Sequence, residues 1–519
     1  MKKHIVLFCL SALLSLFAFG CSSDSEDSES DSLTGVSISG SGKVKTGKTA
    51  TLKAVPTKTG NPSITYTWSI SAGATGSTLD KTEGESVTVS AGATKGTVTI
   101  GLSAKATIDG TEKTVEAEQF TIEVTEAENI SASDKPVGYA SIKPPTGTGT
   151  TVKTKAELVN ALKKGGLIYV SGTIDMSEGC LPSTAGGTTT QLDAFVKANS
   201  SYSTYDAFKT AYAGACSSST DDKSSGSPES TYGSVMWKLN KAYGEKIKLS
   251  PVSKTTIIGL EGAVIKGGTF QISGVSNVTI RNLTIQDAYD PFPHHEKNDG
   301  FNAQWDAIAV VNSAENIWID HCTIEDTMKY SEVAISGGTE EKWQTYDGLC
   351  DITKTSKNVV VSYCVFKNHD KTMLIGSSDK DISGGYITIH HNKFLNCGQR
   401  LPMTAYPNMH IYNNSYERDS DAYYSQQASI AARYAAYTII AENNYFGSGV
   451  KYCISQSTSP SGKCYESGNV FTSRSEGKAL STQDTKPFTP SYEYDLDEAS
   501  DVPSIVEENA GAGVWSVVQ

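Results

Sequence analysis

Six nine-residue segments in the second half of the chain share one pattern. They are Asn277–Ile285 (NVTIRNLTI), Asn316–Ile324 (NIWIDHCTI), Asn358–Phe366 (NVVVSYCVF), Tyr386–Phe394 (YITIHHNKF), Asn408–Tyr416 (NMHIYNNSY) and Tyr437–Tyr445 (YTIIAENNY). Each carries an apolar residue at its fourth position and an apolar or aromatic one at its ninth. The second position is usually apolar too, which describes a half-buried strand that then turns a corner. The seventh position runs Leu283, Cys322, Cys364, Asn392, Asn414, Asn443. A recurring asparagine at one turn predicts a stacked amide ladder, each side chain bonding the next coil. The starts fall 39, 42, 28, 22 and 29 residues apart, within the range of stacked repeat units. The expected fold is all-β: a right-handed parallel β-helix.

What precedes the repeats divides by composition. Lys2 and Lys3 lead into the apolar stretch Ile5–Phe19, and Cys21 follows Gly20. This reads as a lipoprotein signal peptide (residues 1–20) and predicts a lipid on Cys21 and attachment to the outer membrane. The apolar run is too short for a membrane span. The acidic, serine-rich stretch 21–32 (SSDSEDSESDS after Cys21) cannot build a core and reads as a solvated tether. It resembles the surface-export signal of Bacteroidetes lipoproteins, which implies a cell-exterior location, with periplasm or secretion as alternatives. Residues 33–126 hold short alternating runs such as TATLKAV, ITYTWSI and GTVTIGLSAKAT, with Trp68 in mid-strand. They predict a small β-sandwich that resembles bacterial immunoglobulin-like (Ig-like) domains of secreted enzymes, with the role of a spacer. A linker is expected at 127–135 and the solenoid at 136–519.

The formal charge of −13 becomes −15 once residues 1–20, with their two lysines, are removed. An acidic surface argues against nucleic acid as a partner, and it would repel an anionic polysaccharide unless cations or a metal intervene. Eight of the ten cysteines would then lie in an oxidising compartment. Cys453–Cys464 and Cys180–Cys216 are candidate disulfides, the shorter loop worth up to about 3 kcal/mol if unstrained. Cys322 and Cys364, at the ladder position, are expected to be buried thiols. Cys180–Ser234 reads as a long polar surface excursion with a helical piece near Thr189–Ala213.

The longer intervals carry insertions, which in solenoids tend to crowd onto the binding face. Polar residues fall in them at similar phase. Asp306 lies 10 residues before Asn316; Asp347 and Asp351 lie 11 and 7 before Asn358. Lys371 lies 13 after Asn358, and Arg400 lies 14 after Tyr386. Stacking of coils roughly 4.8 Å apart would align these five along one edge over about 14 Å. Exposed aspartates are common, and each alone would be read as solvated. Three together repel unless a cation sits among them, and oxygen donors with open positions suit Ca²⁺. Zinc is not expected, because no compact His/Cys pair lies among these loops. Asp320, His321, His390 and His391 fall inside core strands and are expected to make internal hydrogen bonds. His294 and His295 could border the cleft.

WDAI around Asp306, NIWIDHCTI at 316–324, YDGLCDI at 346–352, NHDKTMLIGSSD at 368–379 and ITIHHNKFLNCGQRLP at 387–402 together resemble the signature blocks of pectate lyases. The likeness is to the calcium-dependent bacterial branch of polysaccharide lyase family 1 and covers about residues 136–519. The opening of that region, with a helix over Lys155–Lys164 and a strand over Leu167–Val170, resembles the family's amino-terminal cap. The resemblance implies that Asp306, Asp347 and Asp351 bind calcium, that Lys371 contacts a substrate carboxylate, and that Arg400 is the base in β-elimination of polygalacturonate (pectin). A guanidinium ordinarily titrates above about 12, so an arginine base predicts an alkaline activity optimum. Arg400 is followed by Leu401-Pro402-Met403-Thr404-Ala405, whereas the family usually places a further carboxylate-binding arginine where Ala405 stands. Arg433 and Lys393 are the candidates to replace it. A monomer is expected. Alternative readings are a pectin lyase-like activity on methyl-esterified polymer, a two-carboxylate hydrolase, and a surface pectin-binding lipoprotein with little turnover.

Overall fold

The repeats stack coil upon coil into three parallel sheets, seen in a computed structural model of the 519-residue chain. The structure describes residues 30–126, 128–217, 231–296, 300–328, 332–334, 342–420, 422, 428–434, 437–456, 462–475 and 479–519. The expected signal peptide, Cys21 and most of the tether lie outside them. The chain divides into two compact units at Glu126/Ala127.

In the first unit, Ser32–Ser39, Thr49–Thr59, Ser86–Ser90 and Thr78–Leu79 form one sheet in that order. Lys43–Lys45, Phe120–Thr125, Gly96–Ile108 and Ile64–Ser71 form a second, and Thr111–Glu116 folds back on Gly96–Ile108. Alternation puts Leu52, Val87, Ile100 and Trp68 into one core. Trp68 is 1% exposed, and its indole N–H donates to the Gly84 carbonyl at 2.8 Å, so burial leaves no polar atom unpaired.

The second unit is the parallel β-helix, with sheets of ten, nine and eight strands. In the ten-stranded sheet Val278, Ile317, Val359, Ile387, Met409 and Ile439 pair in one column. That register corrects the sixth repeat by one residue: Thr438, not Tyr437, occupies the first position. The corner residues Asn282, His321, Tyr363, His391, Asn413 and Asn443 all take left-handed backbone, φ 48° to 54°. Asn443 therefore turns the corner, and Asn444 carries the ladder. Asn392 Nδ2 donates to Asn414 Oδ1 at 2.9 Å, Asn414 to Asn444 at 3.0 Å, and Asn444 to Asn469 at 3.0 Å. Two adjacent asparagines hid the slip; asparagine suits both the left-handed corner and the amide ladder. Beside the ladder Phe366, Phe394, Tyr416, Phe446 and Phe471 stack with ring centroids 4.6–5.1 Å apart. Each such pair adds about 0.5–1.5 kcal/mol beyond its buried area.

Helix α1 (Lys155–Lys164) covers the first coil. Thr154 and Glu157 form a reciprocal capping box, and Leu158 and Leu162 are buried in the solenoid core. The expected linker is not free: Asn129–Ser131 pairs with Ser516–Val518, and Asp134 bonds Arg281 at 2.8 Å. The expected surface excursion is instead a packed subdomain. Helices α2 (Thr190–Asn199), α3 (Tyr205–Ser217) and α4 (Thr231–Ile247) share an aromatic core that includes Tyr205, Phe208, Tyr212, Tyr243 and Phe292. Its aromatics are spaced for helices, but polar residues interrupt the runs.

Neither candidate disulfide forms; all eight described cysteines are buried thiols. Cys453 and Cys464 enter the core from different sheets, and Cys453 Sγ donates to the Ser473 carbonyl at 3.3 Å. Cys216 lies against the Tyr212 hydroxyl rather than Cys180. Cys322 and Cys364 are buried as expected, their thiols turned to backbone carbonyls.

Candidate active site

Successive strands of the eight-stranded sheet, Ile308–Val311, Cys350–Ile352, Leu374–Ile375 and Met403–Thr404, present one edge. The segment entering each strand carries a polar residue: Asp306, Asp347, Lys371 and Arg400, with Asp351 on the second strand itself. The lateral pairings Ile308↔Cys350 and Lys371↔Gln399 hold these segments in line. The structure thus brings all five residues singled out in the sequence to one place. Four of them, Asp347, Asp351, Lys371 and Arg400, line a cavity of about 370 Å³ together with Gln344 and Glu296.

Asp306 Oδ1 accepts from the Gly348 N–H at 2.9 Å, and Asp351 Oδ1 accepts from the Leu374 N–H at 2.9 Å. A β-carbon on Gly348 would stand 2.7 Å from Oδ1 of both Asp306 and Asp351. Burial, then the neighbouring carboxylates Asp351 and Asp347, push Asp306 well above the usual carboxylate range. Burial and Asp347 likewise raise Asp351 to about 7, although Arg400 and Lys371 pull the other way. Two carboxylates held this close favour either a shared proton or a cation. Asp347 is turned differently: its Oδ1 accepts from Lys371 Nζ at 2.9 Å, and Lys371 also donates to Gln344 Oε1 at 2.8 Å. Among the described residues the acidic side chains do not already converge as a closed three-ligand cage.

Arg400 takes left-handed backbone, φ 61°, and its carbonyl accepts from the Met373 N–H at 2.8 Å. Its Nε is buried without a hydrogen-bond partner among the described residues. A desolvated donor of this kind is costly unless something else meets it.

Several residues of the site escape a sequence reading. His369 is buried, with Nδ1 2.7 Å from Asp326 Oδ2 and Nε2 donating to the Asp347 carbonyl at 2.9 Å. Burial alone would lower its pKa, but Asp326 raises it above the usual histidine value. It fixes the loop that carries Asp347. Asp290, buried and raised to about 7 by desolvation, accepts from the Gln304 N–H at 2.8 Å and from Asn240 of α4. It ties the helical subdomain to the segment before Asp306. His369 stands in the NHDK block and could have been flagged there; Asp290 gives no local signal. His295 is buried against Phe301, and His294 packs on Trp237 at 4.9 Å, while Glu296 and, on the strand paired with it, Asn302 line the cavity.

The core-strand residues behave as internal partners. Asp320 accepts from Arg281 and Ser362 and pairs with His321, all at 2.6–2.7 Å. His391 bonds Asp497 at 2.8 Å. His321 and His390 each leave Nε2 unpaired among the described residues. Lys393 is engaged by Glu507 and Glu417 on the nine-stranded sheet, so it is not the replacement for the arginine missing at Ala405.

A family model described as pectate lyase matches residues 225–515. A pectate lyase of Bacillus subtilis (strain 168) is 31% identical over 390 residues, covering 70% of this chain and 86% of the relative. Pectate lyase E of Dickeya chrysanthemi is 40% identical over 177 residues, 33% of this chain; the match spans 43% of that relative's length. Among solved structures, a Bacillus subtilis pectate lyase mutant aligns with a TM-score of 0.58 at 28% identity, over 71% of this chain and 92% of the other. A pectate lyase bound to a hexasaccharide aligns with the same score at 27% identity, over 73% and 97%.

Proposed function

The chain belongs to the pectate lyase family, and from that premise we propose that it cleaves α-1,4-polygalacturonate by calcium-dependent β-elimination, with Arg400 as the base. The observation that carries this reading is the convergence on one sheet edge of a close carboxylate pair, a lysine held at 2.9 Å by a third carboxylate, and an arginine whose buried Nε lacks a partner. Asp306, Asp347 and Asp351 would hold the calcium. The donor set is all hard oxygen, which suits that ion, and Oδ1 of Asp306 and Oδ1 of Asp351 converge beside Gly348. Calcium, when bound, supplies Lewis-acid stabilisation of charge on the substrate carboxylate.

The residues of the chain account for the rest. Elimination removes the C5 proton, which is acidic because a carboxylate is attached to C5. Arg400, in its neutral form, takes that proton. Lys371 lies where it can neutralise the carboxylate as charge spreads into it. The C5–H electron pair forms the C4–C5 double bond, the C4–O bond breaks, and the leaving oxygen acquires a proton from water. The product ends are 4,5-unsaturated.

The test is ultraviolet absorbance of the unsaturated ends from polygalacturonate, with calcium or with a chelator. Absorbance is expected with calcium only, and Arg400→Ala is expected to lower turnover by 10²-fold or more. Reducing ends that form without absorbance would replace the proposal with hydrolysis. Ala405 favours, as the second reading, activity on methyl-esterified pectin; faster turnover on the ester than on the acid would select it. For the first unit the reading is an Ig-like domain serving as a spacer, and its two sheets with a shared core support the Ig-like part of it. A lipid on Cys21 would place the enzyme at the outer membrane facing outward, and palmitate labelling lost in Cys21→Ser tests this.

A further inference from the structure

We infer that Gln344 is the positioning residue for Lys371, keeping the ammonium in the groove with its charge whole once calcium takes Asp347. The task of Lys371 and the identity of the metal rest on the lyase reading. Four short strands form a side sheet in the order His294–Glu296, Gly300–Asn302, Lys342–Gln344, Glu332–Ala334. On it Phe301 pairs laterally with Trp343, and their rings stack with centroids 4.9 Å apart. The Tyr212 ring of α3 meets Trp343 edge-on at 6.1 Å. Phe301 and Trp343 are fully buried in the aromatic core of the helical subdomain. Alternation turns the next residue, Gln344, to the opposite face, where it lines the cavity. The helical insertion thus fixes one amide, 1% exposed, against the edge that carries Lys371.

Lys371 is shared. Its Nζ donates to Gln344 Oε1 at 2.8 Å and to Asp347 Oδ1 at 2.9 Å. Asp347 is also one of the three carboxylates assigned to calcium, so the lysine and the metal compete for it. A divalent cation beside Asp347 weakens the hold of that carboxylate on the ammonium and repels the ammonium itself. The Lys371 side chain is only 13% exposed, and an ammonium left there without a partner is costly. Gln344 Oε1 is the acceptor outside the carboxylate set, and it stays with the lysine.

The choice of an amide matters chemically. A carboxylate at this place would pair with Lys371 and cancel the charge that a substrate carboxylate needs. An amide oxygen accepts the hydrogen bond and leaves that charge intact. An ammonium has three N–H bonds. With Gln344 holding one, the other two can turn to a uronate carboxylate when Asp347 turns to the metal.

The experiment compares wild type, Gln344→Met and Gln344→Glu, which share length and differ in acceptor and charge. Calcium affinity is measured by titration calorimetry without substrate, and kcat/KM on polygalacturonate is read from the unsaturated product at saturating calcium. In Gln344→Met, Asp347 is the partner left to Lys371, and the metal must displace it. Calcium affinity should fall about tenfold, the size of one hydrogen bond to a charged group. In Gln344→Glu the lysine is drawn off Asp347, and calcium affinity should rise. Both variants should lose about tenfold or more in kcat/KM, one because the lysine is no longer held, the other because its charge is cancelled. Calcium affinity that is unchanged in both variants, or that moves in the same direction in both, overturns the inference. So does an unchanged kcat/KM in Gln344→Met. If the wild type forms no unsaturated ends, the lyase reading fails, and the calcium titrations still decide the hold of Gln344 on Lys371. A wild type that binds no calcium overturns both.

Discussion

Oδ1 of Asp306 and Oδ1 of Asp351 both lie 2.7 Å from the point where a β-carbon on Gly348 would stand. Coil stacking creates this relationship: Gly348 donates its N–H to one carboxylate while leaving the space between both. Gly348→Ala would fill that space with a methyl group. Calcium affinity, measured by titration calorimetry, should fall at least tenfold, while the melting temperature without calcium changes by no more than a few degrees. Unaltered calcium affinity in this variant would place the metal elsewhere.

His369 acts at one remove. Its Nε2–H holds the Asp347 carbonyl while Asp326 holds Nδ1. His369→Leu removes both bonds and leaves a buried carboxylate unpaired, a loss of about 3 kcal/mol or more. The expected result is weaker calcium binding together with lower stability. His369→Gln should recover part of the stability, because an amide can still donate to that carbonyl. Calcium affinity equal to wild type in both variants would remove His369 from the site.

The asparagine ladder is expected to carry stability and not chemistry. Asn414 donates to Ile389 and Tyr412 carbonyls and to Asn444, and accepts from Asn392. Asn414→Ala strands buried donors and acceptors on two coils at about 1–3 kcal/mol each. Denaturant unfolding should show a loss of about 2–5 kcal/mol, with KM unchanged in the protein that remains folded.

Glu442 gives the solenoid an acid limit. Burial alone would raise its pKa, but His410, Lys486 and Tyr494 bond the carboxylate and bring it down to about 2. A depressed carboxylate contributes fully above its unfolded value of about 4.3, and the contribution is lost as pH falls towards the folded value. The wild type should therefore lose stability relative to Glu442→Gln between about pH 4.5 and pH 2. Parallel melting curves for the two proteins across that window would refute the assignment.

Much of this could be read from the chain. Apolar residues at fixed positions of the repeats specify strands that pair coil upon coil, and the intervals between them assign the insertions to loops. Phase alone placed Asp306, Asp347, Asp351, Lys371 and Arg400 on one edge, because a solenoid converts sequence offset directly into position along its axis. The same logic failed by one residue at Thr438, where two adjacent asparagines suit the corner and the ladder equally. It failed for the cysteines too, since a short loop between Cys453 and Cys464 does not say that they enter the core from different sheets.

The sequence by itself determined the period, the apolar columns and the set of charged residues available to the edge, because each depends on local alternation and regular spacing. Tertiary structure alone decided which charges meet. The gap at Gly348, the hold of His369 on Asp347 and the tie from Asp290 to α4 all join residues separated by tens of positions. Such contacts depend on how one coil registers against the next, and no local pattern in the chain records that register.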